Sequence, residues 1–236
     1  MEETFYTGAI ILKRSPWREN DSKVIVYSLE KGKLELVARG TKKILSKLAS
    51  HLEPITLSDL MVIKGRQVNY VGTAISEESF QSIKGSLEKI FLVGETINLF
   101  NSLVKEQEPD PQLFYLLRDF LFLVNDNEEA ELFDVAFKIK LIEILGYSPN
   151  FNSCIICGQN NAKQSFIFDF VKGGIVCEQC KAHISKNIQT LNLALVDNYK
   201  KISSLEIKNI ASPHLPETDR EKLKKFLSNY ILANIK

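Results

Sequence analysis

The sequence predicts an α+β protein of two domains, in which a small β-barrel is followed by an all-α domain with an inserted cysteine module. Three observations support this fold class. Short β-rich runs fill residues 7–75, apolar residues recur at helical spacing after residue 80, and all four cysteines fall into two CxxC pairs. A chain of 236 residues is long enough for two domains. We expect them at 1–80 and 81–236, with the cysteine module at 150–185.

Five short strands are predicted in the first domain, near residues 7–13, 23–29, 33–39, 55–64 and 67–75. In the third strand Leu34, Leu36 and Ala38 alternate with other residues, and a period of two sends Arg39 to the opposite face. A helical or irregular connection is expected after this strand. Five strands with such an insertion are typical of a closed barrel of the oligonucleotide/oligosaccharide-binding (OB) type. An SH3-like barrel is the nearest alternative from the pattern alone.

Helices are predicted from the change of period after residue 80. Residues 83–97 are expected to form one amphipathic helix whose apolar face includes Leu87 and Phe91. Asp110, followed by proline, has the features of a helix N-cap. Gly146 is placed to end a further helix in the left-handed conformation. The second domain is therefore expected to be mainly helical.

The four cysteines form the pairs Cys154/Cys157 and Cys177/Cys180, which are separated by nineteen residues. This spacing is typical of a zinc ion held by four thiolates with no open position, which is a structural site rather than a catalytic one. Alternating phenylalanines and a Lys-Gly-Gly turn between the pairs predict a β-hairpin that joins them. Disulfides and a redox dithiol are weaker interpretations, because we expect a cytosolic protein whose thiols stay reduced and because a redox dithiol would leave the second pair unexplained. His183 is an alternative ligand.

Positive charge is concentrated near the N-terminus although the net charge is only +1. Residues 13–47 carry ten basic and four acidic side chains, whereas residues 81–153 carry six basic and twelve acidic ones. A basic face on an OB barrel favours a polyanionic, oligonucleotide-like partner. Trp17, Tyr27 and Tyr70 are candidates for base stacking, and the two tyrosines are equally well explained as core residues.

Catalytic motifs are not found, so no catalytic residues and no enzymatic activity are expected. The chain lacks a phosphate-binding GxxxxGK[ST] loop and a GxSxG elbow, and its three histidines are far apart. No apolar run is long enough to span a membrane, and the N-terminus does not read as a signal peptide, so we expect a cytoplasmic protein without a membrane partner. An RNA-binding protein and a protein–protein adaptor remain alternatives, and a nuclease is the least favoured.

Several short motifs, taken in order, resemble those of the bacterial recombination mediator family RecO. In the first domain they are Ile11–Arg14, Glu19–Asp21, Gly32–Lys33, Ala38–Lys43 and Ser46–Leu48. In the second they are Leu145–Pro149, Cys154–Gly158, Phe168, Gly173–Gly174 and Cys177–Cys180. Ile44 and Leu45 depart from the pattern, because the family often has polar or basic residues there.

The resemblance implies an OB domain followed by a helical domain, with a structural zinc ion on the four cysteines. It implies binding to single- and double-stranded DNA, annealing of complementary strands, and cooperation with RecR and single-stranded-DNA-binding protein to load the RecA recombinase during repair. A bacterial cytoplasmic protein that associates with the nucleoid during repair is expected. By position, the DNA-contacting residues are expected to be Lys13, Arg14, Arg39, Lys42, Lys43 and Lys47.

Overall fold

The structure, a computed structural model, describes residues 3–159, 165–209 and 215–234. The chain forms two compact units, Met1–Glu128 and Glu129–Lys236. A functional division at residue 80 stays a prediction. None of the helices among the described residues has both the length and the apolar character needed to span a bilayer.

The first unit begins with a closed five-stranded barrel. Its strands are β1 (Thr4–Pro16), β2 (Ser22–Ser28), β3 (Gly32–Ala38), β4 (Leu57–Ile63) and β5 (Asn69–Glu78). They lie in the order β1-β2-β3-β5-β4, and β1 pairs again with β4 to close the barrel. The β3–β5 pair is parallel and the other pairs are antiparallel. This topology is that of an OB barrel, so the predicted fold class is confirmed and the SH3-like alternative is excluded.

Strand alternation builds the barrel core as the sequence predicts. Val24, Leu34, Leu36 and Ala38 are buried inside it, while Arg39 is exposed. The connection from β3 to β4 consists mainly of turns, with one short 3-10 helix at Ser50–Leu52. The apolar side chains thus fill the inside of the barrel, and the connection after β3 lies outside it.

The helices of the first unit are α1 (Gln81–Gly85), α2 (Leu87–Leu103) and α3 (Pro111–Asp126). The prediction of one continuous helix over 83–97 is wrong. Ser86 lies between α1 and α2 in an extended conformation, and its side chain accepts a hydrogen bond from the backbone N–H of Lys89. A new helix therefore starts with its own register. As a result, Leu87 and Phe91 are 74% and 66% exposed instead of buried.

The N-cap predicted at Asp110 is confirmed, since its carboxylate accepts a hydrogen bond from the backbone N–H of Gln112 at 2.8 Å. The first residues of β3 contact the segment just before this cap. The backbone N–H of Gln107 donates to the carbonyl of Lys33 at 3.0 Å. Gly32 has a φ of +65°, and a Cβ there would lie 2.4 Å from the carbonyl oxygen of Glu108. Only glycine fits this close approach.

The second unit contains α4 (Ala130–Ile144), β6 (Ser165–Asp169), β7 (Gly174–Val176), β8 (Ile188–Asn192), α5 (Leu193–Ser204) and α6 (Glu217–Asn234). Gly146 ends α4 as predicted, with a φ of +80° and an N–H that donates to the carbonyl of Glu143. The predicted hairpin is β6–β7, and β8 adds an unpredicted third strand on its other side. Phe168 is fully buried, and its ring lies 5.0 Å from that of Phe226 on α6. The hairpin is thereby fixed to the helices.

Candidate nucleic-acid interface and metal centre

The outer face of β2, β3 and β5 carries one row of the candidate interface. Residues directly opposite each other in neighbouring strands present their side chains on the same face. Lys23 is paired with Val37, and Val37 is paired with Tyr70. Lys13 on β1 is paired with Ile25, one row further along β2. Strand register therefore places Lys13 and Lys23 on the same side of the barrel as Tyr70.

A groove of about 360 Å³ opens on this face. Its walls come from the loop between β1 and β2, the end of β3, and the loop between β4 and β5. The lining residues are Trp17, Arg18, Asp21, Val37, Arg39, Arg66, Gln67, Val68 and Tyr70. Two aromatic rings and three guanidinium groups therefore surround a single carboxylate, that of Asp21. This carboxylate accepts a hydrogen bond from the backbone N–H of Gly40 at 2.9 Å.

Cations lie over both aromatic rings of the groove. The guanidinium carbon of Arg39 is 4.3 Å from the ring centroid of Tyr70, and the Nζ of Lys23 is 4.4 Å from that of Trp17. Such cation–π contacts hold long side chains in place. Lys23 also pairs with Glu35 at 2.9 Å. Trp17 is 42% exposed, so part of its ring is accessible for stacking.

Five of the six predicted DNA-contacting residues lie in three settings. Lys13 is exposed on the strand face, and Arg39 lines the groove. Lys42, Lys43 and Lys47 are exposed on the loop after β3, where the Nζ of Lys42 donates to the carbonyl of Arg18 at 3.0 Å.

Arg14 differs from these five residues. Its guanidinium donates to the carboxylate of Glu53 and to the carbonyl of Ala49, both at 2.7 Å. This arrangement fixes the end of the loop and directs the charge of Arg14 to a carboxylate. Its contact with DNA stays a prediction.

Tyr27 is a core residue, not a stacking platform. It is fully buried, and its ring meets that of Phe100 edge-to-face at 4.9 Å. Burial raises the pKa of its hydroxyl to about 12. Arg66, Gln67 and Val68 also line the groove and were not predicted from the sequence. They could have been predicted from their position in the loop between the last two barrel strands, because that loop borders the ligand face in OB barrels.

The four cysteines converge at one point of the second unit. Their Sγ atoms all lie within 4.8 Å of one another, and those of Cys157 and Cys177 are 3.7 Å apart. Four sulfurs placed tetrahedrally at about 2.3 Å from one zinc ion would be about 3.8 Å apart. The cluster therefore fits a tetrahedral metal ion closely. Among the described residues no histidine joins this group, so His183 is not part of it.

Backbone groups also favour the thiolate form of Cys154. Burial raises the pKa of the Cys154 thiol, but hydrogen bonds from nearby backbone N–H groups outweigh it and lower that pKa to about 6. One such donor is the N–H of Cys177, at 3.4 Å from the Cys154 Sγ. Gly158, with a φ of +74°, lets the chain turn back so that its N–H reaches the carbonyl of Cys154 at 2.8 Å. The residues present could hold a metal ion through four sulfurs.

Comparison with known proteins matches both parts of the chain to the same protein family. The family described as "Recombination protein O N terminal" matches residues 1–80, and "Recombination protein O C terminal" matches residues 85–236. The chain is 28% identical to the DNA repair protein RecO of Alkaliphilus metalliredigens, over 97% of this chain and 93% of that protein. It is 29% identical to the DNA repair protein RecO of Desulforamulus reducens, over 94% and 86% of the two chains.

Proposed function

The chain belongs to the RecO family, and on that premise we propose that it is a DNA-binding mediator of repair and homologous recombination that performs no catalysis on DNA. The observation that carries the proposal is the groove of the OB barrel, where Trp17 and Tyr70 lie among Arg18, Arg39 and Arg66. Proteins that bind single strands combine a cationic groove with aromatic rings on which bases stack, at about 1–3 kcal/mol per base.

Charge gives the groove its affinity and aromatic rings give it a preference for unpaired bases. Lys13, Lys42, Lys43 and Lys47 extend the positive surface beyond the groove walls. Phosphate contacts of this kind carry no sequence information, so binding is expected to be independent of sequence and sensitive to salt. Bases inside a duplex do not expose their faces, and a duplex would therefore engage the cations but not the rings.

Strand annealing follows from the same charges. Two complementary strands repel each other through their phosphates. At 0.1 M salt this repulsion still acts within about 10 Å, the Debye length, which the strands must cross in order to pair. Lysines that neutralise phosphates on both strands lower this repulsion, so that a first set of base pairs can form. We infer that loading of RecA also depends on contacts with RecR and with single-stranded-DNA-binding protein, and that the protein works at the bacterial nucleoid during repair.

We assign the four-cysteine cluster to a structural zinc ion. Cys154, Cys157, Cys177 and Cys180 would supply all four ligands, which leaves no position for a substrate. Zinc bound there would hold the two CxxC turns together and stabilise the second unit. The groove proposed to bind DNA has all its lining residues in the first unit.

Charge reversal at the loop after β3 tests the proposal. With Lys42→Glu and Lys43→Glu combined, the affinity for a labelled single strand is expected to fall by at least about tenfold at 0.1 M salt, because phosphate contacts dominate affinity. The dependence on salt should weaken as well. The measurement is fluorescence anisotropy, with the melting temperature as a check on folding.

A matched control carries Lys31→Glu and Lys105→Glu, which change the net charge equally. Both side chains are exposed. Lys31 lies in the β2–β3 turn, and Lys105 precedes Glu106, which pairs with Lys33 at the start of β3. This end of the two strands is opposite to the groove. This control should bind almost normally. Equal losses in the two double variants would contradict the proposed groove. Tighter binding to an RNA oligomer of the same sequence would favour the RNA-binding alternative, and no binding at low salt would favour the adaptor.

A further inference from the structure

Two adjacent aliphatic side chains project fully from the basic loop after β3. Ile44 is 101% exposed and Leu45 is 91% exposed. Single exposed apolar residues are common on protein surfaces and require no explanation. A neighbouring pair with almost no protein contact, at the centre of a lysine-rich segment, is different, because isolated loop tips are normally polar.

The loop that carries this pair is held at both ends. On the side of β3, Thr41 is buried and its hydroxyl donates to that of Ser22 at 2.7 Å. The backbone N–H of Lys42 donates to the carbonyl of Asn20 at 3.1 Å. On the far side, Leu48 packs against the barrel core.

Two successive turns shape the middle of the loop. The N–H of Lys43 donates to the carbonyl of Gly40 at 3.1 Å, and the N–H of Ser46 donates to that of Lys43 at 3.0 Å. The aliphatic pair is thus presented by an ordered segment with fixed ends.

The surroundings of the pair indicate what it contacts. Lys42, Lys43 and Lys47 are all exposed next to it. The loop also shares a wall with the aromatic groove, because Lys42 contacts Arg18 and Gly40 contacts Asp21. A partner that fits must be anionic on its outside and apolar within. Nucleic acid has this structure, with phosphates outside and stacked bases inside.

We propose that Ile44 and Leu45 form a wedge that inserts between neighbouring bases where single-stranded DNA meets a duplex. Apolar side chains are known to enter base steps in this way and to unstack them, while cations beside them hold the phosphates. The inference rests on the proposed DNA binding. It adds that the protein recognises and opens the border of paired and unpaired DNA, with the released strand entering the adjacent groove.

The test uses the full chain and a forked duplex with 2-aminopurine at its junction, because this base fluoresces more when it is unstacked. The natural protein should raise the fluorescence. The variant Ile44→Ser with Leu45→Ser should lose that rise, yet should bind a plain single strand within about twofold of the natural protein, since phosphate contacts remain. A control with Leu87→Ser and Phe91→Ser removes similar exposed apolar surface from α2 and should keep the rise.

An undiminished rise in the loop variant would overturn the wedge while leaving DNA binding intact. Failure of the natural protein to bind any DNA would instead overturn the proposed function, and the wedge with it. Vesicles with anionic lipid headgroups form a second arm. Vesicle binding that depends on Ile44 and Leu45, without any change at the DNA junction, would assign the loop to a membrane surface and reject the wedge.

Discussion

Single residues in this chain depend on neighbours that sequence spacing does not reveal. Trp17 and Tyr27 both lie in the basic N-terminal region, and only Trp17 reaches the groove. Tyr27 is buried because Phe100, more than seventy residues later, packs against it. Arg14 is similarly turned aside by Glu53. By contrast, exposure of Arg39 could be predicted, because strand alternation is a local property.

Asp169 offers a test of one buried charge. It is fully buried at the end of β6, where its carboxylate accepts hydrogen bonds from the N–H and the hydroxyl of Ser185 at 2.7 and 2.8 Å. The N–H groups of Val171 and Lys172 also donate to it. Burial raises the pKa of Asp169, but these donors outweigh it and hold the pKa below its usual value. A depressed pKa means that the ionised form stabilises the folded protein.

We expect Asp169→Asn to lower the free energy of unfolding by about 2–3 kcal/mol at pH 7, because an amide places hydrogens against several buried donors. The stabilisation by the carboxylate is fully present above its unfolded pKa of about 3.9. It is lost as the pH falls through the lower folded value. Urea unfolding of both proteins at pH 7 and at pH 3 should therefore show a gap that narrows in acid. An equal gap at both values would contradict this role of the charge.

At the scale of elements, the sequence predicted correctly those elements whose conformation depends only on residues close together in the chain. The CxxC turns, the β6–β7 hairpin and the caps at Asp110 and Gly146 were predicted for this reason. Strand β8 was missed because Leu191 is its only buried residue, so its alternation is weak. The break at Ser86 was missed because apolar spacing alone continues across it. The convergence of the four sulfurs was predicted from the spacing of the cysteines, since each CxxC turn places two thiols close together.

Removal of metal tests the cysteine module as an element. Binding of zinc to such sites is worth about 10–16 kcal/mol at pH 7, and this free energy is coupled to folding. A chelator strong enough to strip zinc should therefore speed hydrogen exchange in β6, β7 and the two CxxC turns. The barrel should keep its protection. Regional hydrogen exchange measured by mass spectrometry separates these outcomes.

Cys177→Ser should reproduce the effect of the chelator and lower the zinc content to a small fraction. Ile156→Ser is the matched control, because Ile156 lies inside the first CxxC turn, is 36% exposed and supplies no ligand. The control should retain its zinc. If Cys177→Ser kept one zinc ion per chain and unchanged exchange, the cluster would not be a four-sulfur structural site.

At the scale of the whole molecule, periodicity predicted the five strands of the barrel but not their order. Five strands with an insertion fit two barrel types, and only the long-range β1–β4 pairing and the parallel β3–β5 pairing distinguish them. The total charge is likewise less informative than its arrangement. The net charge of +1 says little about partners, whereas the clustering of basic side chains in residues 13–47 predicts a polyanionic partner. The groove then shows how distant loops bring Arg18, Arg39 and Arg66 together.

This clustering predicts how annealing responds to salt. Salt alone speeds spontaneous annealing because it screens the phosphates, yet it also weakens the binding of a cationic groove. Acceleration by the protein, taken as the ratio of the rates with and without it, should therefore fall steeply between about 0.05 and 0.2 M salt, as expected for several phosphate contacts. A protein that acted through its net charge of +1 would show almost no such fall.

Quenching of paired fluorophores on complementary strands measures both rates. The variant with Lys42→Glu and Lys43→Glu should give a low and nearly flat ratio, whereas the Lys31→Glu, Lys105→Glu control should follow the natural protein. Acceleration that persisted unchanged at high salt would mean that strands are paired by something other than charge neutralisation at this groove.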